Sequence, residues 1–157
     1  MSDVNNELMD TLNRLFENSI TEVISTISGF SIFKDNDKLN VNDNFAGMLP
    51  FSGGINGLFM IKTDEQSLRV LTSNITGCDI SLVKENDMID CIGELANMIC
   101  GMVRAKAAVN GISFKLEIPF SVKGVNGLEF SFKKNAKTFR LHFSSDKVHI
   151  STRVVLA

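Results

Sequence analysis

The chain has 157 residues, of which 44% are apolar and 22% are charged, and its formal net charge is −2. This composition is typical of a folded globular protein and excludes a disordered chain. The small negative charge, without a cluster of Lys and Arg residues among aromatic ones, argues against a nucleic-acid partner. The length suits one ordinary hydrophobic core, so we expect a single domain over residues 1–157.

The cysteines and histidines show no pattern that binds a metal. Cys78, Cys91 and Cys100 form no Cys-x-x-Cys pair, and His142 and His149 share no ligand spacing with them. An odd number of separated cysteines fits a reducing compartment. The first ten residues are acidic and polar, unlike a signal peptide, and no apolar run approaches the roughly 18 residues that cross a membrane. We therefore expect a cytoplasmic protein that binds neither a metal nor a membrane.

The N-terminal part of the chain predicts one helix, a short strand and a polar loop. Apolar residues recur at helical spacing over residues 4–28, and Gly29 follows where such a helix would end. Residues 30–33 suit a short strand. Residues 34–44 are rich in Asn and Asp, which is typical of a loop.

A hairpin and a second helix are predicted next. Residues 45–51 and 55–62 have the composition of two strands, and a Ser-Gly-Gly turn joins them. Thr63 then begins a Thr-x-x-Gln pattern, which is typical of a helix N-terminus. We expect that helix to end near Gly77.

Residues 86–111 predict a third, long helix with two different faces. Its apolar stripe is formed by Ile89, Ile92, Ala96, Ile99, Cys100, Val103 and Ala107. Its other side carries four polar residues, Asp90, Glu94, Asn97 and Arg104. Gly93 and Gly101 lie one turn before and one turn after Asn97 on that polar side. Glycine inside a helix costs about 1 kcal/mol relative to alanine. Two of them beside one carboxamide suggest a face kept clear for a partner.

The last third of the chain alternates apolar and polar residues, as half-buried strands do. We predict strands over residues 112–118, 128–132, 139–143 and 148–154. A sheet with one apolar face needs a covering layer, and the long helices supply it. The predicted fold class is therefore α+β, with long helices packed on one face of a mostly antiparallel sheet.

The chain carries no motif of a self-contained enzyme, such as Gly-x-Ser-x-Gly, a phosphate-binding glycine loop or His-Glu-x-x-His. What remains is the pair Glu94 and Asn97, one turn apart. An Asn side chain offers both an acceptor and a donor, which suits orienting a water molecule against a phosphoryl group. A carboxylate one turn earlier suits pairing with a Lys or Arg of a partner.

Two structural interpretations of the same face stay open. With eight Glu and fifteen Asn in the chain, a Glu-x-x-Asn arises by chance roughly half the time. The polar face is then simply solvated, or its glycines allow the helix to pack closely on the sheet.

The stretch DCIGELANMICG resembles the signature helix of the CheC/CheX/FliY family of chemotaxis phosphatases. In that family an Asp or Ser precedes Glu-x-x-Asn by four residues, and these positions are Asp90, Glu94 and Asn97 here. The family pattern continues to a proline, and Pro119 follows Asn97 after 21 intervening residues, close to the family spacing. The stretch FSGGINGLFMIKTDEQSLRVLTSNITG resembles the hairpin and helix that precede the signature helix in this family.

The resemblance implies a phosphatase that acts on the phosphoaspartate of a CheY-type response regulator. Asn97 would orient the attacking water, and Glu94 would pair with a Lys of the regulator. The Mg²⁺ ion and the phosphoaspartate would belong to the regulator, so the chain would need no cofactor of its own. The first helix has no Glu-x-x-Asn, which implies one active site per chain. Relatives of the CheX type are homodimers joined through their sheets, and we expect the same here.

Five further residues of the helix are candidates for contact with the partner: Asp90, Gly93, Met98, Gly101 and Arg104. Two roles are open for Asp90, a bond within the helix or contact with the regulator. For Arg104 the alternative is a solvated side chain, and Met98 would lie at the rim.

At the level of function, one alternative is a non-catalytic module that binds a receiver domain or a flagellar-switch component. Another is a purely structural oligomerisation domain.

Overall fold

The computed structural model describes residues 2–36 and 42–157. Within these ranges three helices lie against a seven-stranded antiparallel sheet. The helices are α1 (Ser2–Ser28), α2 (Glu65–Thr76) and α3 (Glu85–Val109), with a turn of 3-10 helix at Ile80–Leu82. The strands are β1 (Phe33–Asp35), β2 (Phe45–Gly53), β3 (Gly57–Thr63), β4 (Phe114–Leu116), β5 (Phe120–Lys123), β6 (Lys137–Ser144) and β7 (His149–Leu156). The predicted α+β fold is confirmed. No helix in the described ranges combines the length and apolarity needed to cross a membrane.

The strands follow the order β1-β6-β7-β3-β2-β4 across the sheet, and every pair is antiparallel. Strand β5 also pairs with β2, so two short strands share one edge of β2. Leu116 lies opposite Phe51, whereas Lys123 lies opposite Phe45. The predicted strand 112–118 is therefore shorter than expected. The link around Pro119 separates β4 from β5, because proline lacks the N–H that a continuous strand needs. The alternation pattern did not predict β5.

The main core lies between the helices and one face of the sheet. On β2, the side chains of Phe45, Leu49 and Phe51 are buried in this core. Helix α3 contributes Ile92, Ile99 and Val103, all fully buried, along with other residues of its predicted apolar stripe. Burying one such side chain stabilises the fold by roughly 1.5–3 kcal/mol. These contacts set the rotation of α3 about its axis, and hence the direction of its polar face.

The opposite face of the sheet is covered differently from the prediction. The segment 128–132 is not a strand of the sheet. It packs its apolar side chains, Leu128, Phe130 and Phe132, near a small cluster of Ala46, Met48 and Met60. An alternating pattern indicates an extended chain with one buried side, and such a chain lies over a face as well as in a ladder. The prediction of a strand at 128–132 is wrong, because this extended segment packs on the face of the sheet and does not pair with a strand.

Other boundaries differ from the predictions by a few residues. Asp64, not Thr63, caps α2, since its side chain accepts a hydrogen bond from the Ser67 N–H at 2.8 Å. The helix ends at Gly77 as predicted, with a left-handed φ of 69°. The first short strand begins at Phe33 instead of residue 30. Part of the predicted polar loop, residues 37–41, lies outside the described residues.

A partly buried histidine joins three parts of the fold. His149 at the start of β7 donates from Nε2 to Asp43 and from Nδ1 to Asp64, each at 2.8 Å. Ser67 accepts a hydrogen bond from the backbone N–H of His149 at 3.1 Å, and Lys62 lies 3.8 Å from the other oxygen of Asp43. Burial lowers the pKa of His149, but the two carboxylates outweigh it and raise that pKa to about 9. The imidazolium thus holds the residues before β2 against the start of α2.

This arrangement predicts a pH-dependent stability. The pKa of His149 is about 9 in the folded protein and near 6.5 for an ordinary histidine. Its contribution is therefore fully present below pH 6.5 and is lost as the pH rises through 9. The substitution His149→Gln should lower the melting temperature at pH 6.5 and flatten its decline between pH 6.5 and 9.5.

The matched control is His142→Gln, because the ring of His142 lies 3.1 Å from the Ser151 hydroxyl and its pKa is lowered, mainly by burial. Melting temperatures followed by circular dichroism across this pH range test the prediction. An equally steep decline in His149→Gln and in the wild type would contradict it.

Candidate functional site

Helix α3 begins and ends with identifiable local interactions. At its start the side chain of Asp87 accepts a hydrogen bond from the backbone N–H of Lys84 at 2.8 Å. Two acidic residues, Glu85 and Asp87, lie in the first turn, where the helix dipole favours negative charge. The helix ends at Val109, and Gly111 follows in the left-handed conformation with φ 72°. The predicted helix over 86–111 is thus confirmed to within two residues at each end.

The two predicted faces of α3 are present in the structure. The buried side consists of Met88, Ile92, Gly93, Leu95, Ala96, Ile99, Cys100, Val103 and Ala107. On the other side Asp90, Glu94 and Arg104 are exposed, and Asn97 is half-buried. Met98 is also half-buried, but it packs against the hydrophobic core. The structure therefore brings together Asp90, Glu94, Asn97 and Arg104 on one side of the helix.

The polar side chains of this face have no partner among the described residues. Over residues 6–36 and 42–157, no hydrogen bond or ion pair involves the side chain of Glu94 or Asn97. The same is true of Asp90 and Arg104 within those ranges, so the within-helix bond considered for Asp90 is absent there. An acid and a carboxamide at i and i+3 thus share one face with their hydrogen-bonding capacity free for another molecule.

Three other carboxylates on the helices pair with lysines. On α1, Glu17 pairs with Lys34 at 2.8 Å and Glu22 pairs with Lys106 at 2.5 Å. At the start of α3, Glu85 pairs with Lys123 of β5. These carboxylates tie elements together, whereas Glu94 ties nothing in the described part of the chain. Glu94 therefore differs from these three acids.

The two glycines of the predicted face have different surroundings. Gly93 is buried, and a Cβ atom there would lie 2.8 Å from the Ser121 hydroxyl. That hydroxyl donates a hydrogen bond to the backbone carbonyl of Ile89 at 2.8 Å. Close packing of helix on sheet thus accounts for Gly93. A Cβ at Gly101 would meet no described atom within 4 Å outside the adjoining turns of α3, so the surface one turn beyond Asn97 is open.

Two residues that seat α3 were not predicted from the sequence. A Cβ at Gly47 of β2 would lie 2.2 Å from the carbonyl oxygen of Ile92, so only glycine fits there. Ser121 of β5 lies opposite Gly47 in the sheet. Neither residue belongs to a recognisable motif, since both act through contacts that depend on strand register. The glycine inside a strand pattern was the one available signal of a close backbone approach.

No metal site is evident in the described ranges, because nowhere in residues 2–36 and 42–157 do three His, Cys, Asp or Glu side chains group together as ligands. Cys100 is fully buried, and burial raises the pKa of its thiol out of the physiological range. Burial also raises the pKa of the Cys91 thiol. The described residues thus include an unpartnered polar helix face on α3.

Comparison with solved structures identifies the class of fold. The chemotaxis protein CheX from Vibrio vulnificus superposes with a TM-score of 0.82 at 20% identity, over 93% of this chain and 96% of that one. CheX in the CheX-CheY-BeF3-Mg complex from Borrelia burgdorferi gives 0.76 at 17% identity, over 91% and 96%. FliY from Thermotoga maritima gives 0.67 at 14% identity, over 96% and 89%. The fold is that of the CheX and FliY proteins.

The family follows from the sequence itself. The sequence model of the chemotaxis phosphatase CheX matches residues 45–144, which include β2, β3, α2 and the whole of α3. The chain therefore belongs to the CheX family, as its resemblance predicted. A search of curated proteins found no match.

Proposed function

We propose that this protein hydrolyses the phosphoaspartate of a CheY-type response regulator. The observation that carries the proposal is the unpartnered pair Glu94 and Asn97 on the outward side of α3, in a chain of the CheX family. The complex of a CheX with CheY, BeF3 and Mg²⁺ from Borrelia burgdorferi supports a receiver domain as the substrate. Trifluoroberyllate becomes tetrahedral when it binds a carboxylate oxygen, and it then mimics a phosphoryl group.

In this proposal Asn97 acts on the attacking water. The water oxygen forms a bond to phosphorus while the bond from phosphorus to the aspartate oxygen breaks, which yields phosphate and a free carboxylate. Phosphoryl transfer depends mainly on positioning and on charge stabilisation. A neutral carboxamide orients the water through its acceptor and donor atoms and places no negative charge beside the phosphoryl oxygens. Asn97 is half-buried on a helix that packs closely on the sheet, which limits the orientations of its side chain.

The remaining chemistry belongs to the partner. Glu94, exposed one turn before Asn97, pairs with a Lys of the regulator and sets the docking register. The regulator supplies the aspartate and the Mg²⁺ ion, and this chain supplies no cofactor. Asp90, Gly101 and Arg104 surround the pair and contact the regulator. Met98 contributes at the rim from its place beside the core, and Gly93 lets the backbone of α3 lie close to the sheet behind the pair.

For Asn97 the expected result is loss of turnover with binding retained. Asn97→Ala should reduce the acceleration of phosphoreceiver decay by about a hundredfold or more, because the water loses its orienting group. Asn97→Asp should fail as well, since its charge repels the phosphoryl oxygens. The measurement is the decay of a phosphorylated cognate receiver with and without each variant, beside its affinity for the receiver.

Both variants should melt at the wild-type temperature, because the Asn97 side chain has no partner in residues 6–36 and 42–157. Acceleration by Asn97→Ala equal to that of the wild type would remove Asn97 from the mechanism. Receiver binding without acceleration by the wild type would favour the non-catalytic binding module.

For Glu94 the expected result is weaker docking. Glu94→Ala should raise the KM for the phosphorylated receiver by roughly tenfold and lower the rate at subsaturating receiver. The dependence of KM on salt should also diminish, since a charge pair across the interface is lost. Glu7→Ala is the matched control, because Glu7 is likewise an exposed helical carboxylate. An unchanged KM and salt dependence in Glu94→Ala would contradict the docking role.

We further propose that residues 1–157 act as one CheX-like domain, in the cytoplasm where receiver domains work, and as a homodimer. Strand β1 lies at the end of the described sheet, and its Phe33 is 71% exposed, so this edge offers an exposed aromatic ring to a second copy. Light scattering during gel filtration should give about twice the chain mass of 17.3 kDa. A mass equal to one chain at micromolar concentration would contradict the homodimer.

A further inference from the structure

The hydroxyl of Ser121 contacts α3 one turn before the proposed catalytic pair. Ser121 is half-buried on β5 and donates a hydrogen bond to the carbonyl oxygen of Ile89 at 2.8 Å. In a helix that carbonyl also accepts the N–H four residues later, which belongs to Gly93. A carbonyl oxygen has two lone pairs, so it accepts both bonds. The serine thus adds a lateral bond to the turn of α3 that leads into Glu94.

The missing side chain of Gly93 makes room for this bond. A Cβ atom there would lie 2.8 Å from the Ser121 hydroxyl, and outside the adjoining turns of α3 that oxygen is the one described atom it would meet within 4 Å. Real Cβ atoms do not approach so closely, so a side chain at 93 would displace either the hydroxyl or the helix. Gly93 and Ser121 therefore fit each other as a pair.

Two other contacts hold the same half of α3. Toward its start, Glu85 forms an ion pair with Lys123 of β5. One turn beyond Ile89, the carbonyl oxygen of Ile92 lies against Gly47 of β2. The hydroxyl of Ser121 lies between these two contacts along the helix. Together they fix the distance between α3 and the sheet over the turns that precede Asn97.

We infer that Ser121 is a positioning residue for the pair Glu94 and Asn97, and that Gly93 leaves the space that the Ser121 hydroxyl occupies. This inference rests on the proposed function. A shift of α3 by a fraction of a turn moves the carboxamide of Asn97 relative to the water it orients, and small misplacements are costly in phosphoryl transfer. Ser121 itself stays on the sheet side of α3, so it acts through the helix and does not touch the receiver.

The test is a set of substitutions that separates position from stability. Ser121→Ala removes the bond but keeps the space, Gly93→Ala creates the clash, and the double substitution removes the clash again. The matched control is Ser73→Ala, because Ser73 is also half-buried and donates to a backbone carbonyl, that of Cys78, at 2.7 Å. The measurements are kcat and KM for a phosphorylated receiver, the melting temperature, and the side-chain amide signals of Asn97 by NMR.

We expect Ser121→Ala to lower kcat roughly tenfold with little change in KM, while its melting temperature matches that of Ser73→Ala. Gly93→Ala should lose more activity, and the double variant should recover to the level of Ser121→Ala, a strong departure from additivity. The Asn97 amide signals should move in Ser121→Ala and stay in place in Ser73→Ala. Wild-type kcat in Ser121→Ala, or a double variant no better than Gly93→Ala, would overturn the inference.

The NMR signals keep this inference distinct from the proposed function. If the wild type accelerates the decay of no receiver, the proposed function is contradicted. The Asn97 signals are then the only test of the positioning role. Signals that move in Ser121→Ala but not in Ser73→Ala support that role. Signals that stay in place in both variants overturn it.

Discussion

The close approach of α3 to strand β2 at Gly47 is the contact on which the rest of the structure depends. A single added carbon at Gly47 would lie 2.2 Å from the carbonyl oxygen of Ile92, so the backbones meet with no side chain between them. With the helix this near the sheet, Ile92, Ile99 and Val103 are fully buried. The rotation of α3 is then determined, and Glu94 and Asn97 point away from the core. The direction of the proposed catalytic pair is thus a consequence of core packing.

Some polar side chains join elements of the fold, whereas those on the outward face of α3 do not. The carboxylates of Glu17 and Glu22 connect α1 to other elements, and His149 links the residues before β2 with the start of α2. The face of α3 does the opposite, because within the described ranges its acid and carboxamide bind nothing. In the proposed function these groups contact the receiver. In the proposed function the active site is shared, with half of it on each protein.

The polar face of α3 was predictable from the sequence because it is local. Glu94 and Asn97 lie three residues apart on one helix, and a periodic stripe of apolar residues is enough to place them on its other face. The close packing of α3 on the sheet was not predictable. Gly47 and Ser121 contact the helix together only because β5 pairs with β2. The strand expected at 128–132 failed for a related reason. Alternation indicates one buried side, but it does not say whether the neighbour is a strand or the face of a sheet.

The most direct test of this account is an NMR map of the surface that meets the receiver. The isotope-labelled protein is titrated with a cognate receiver activated by beryllofluoride and Mg²⁺, and shift changes are followed along the chain. The account predicts that the largest changes lie on the outward side of α3 between Asp90 and Gly101, with the Asn97 carboxamide among them, while signals around His149 stay in place. Binding that moves signals on another surface and leaves those of α3 unchanged would contradict it.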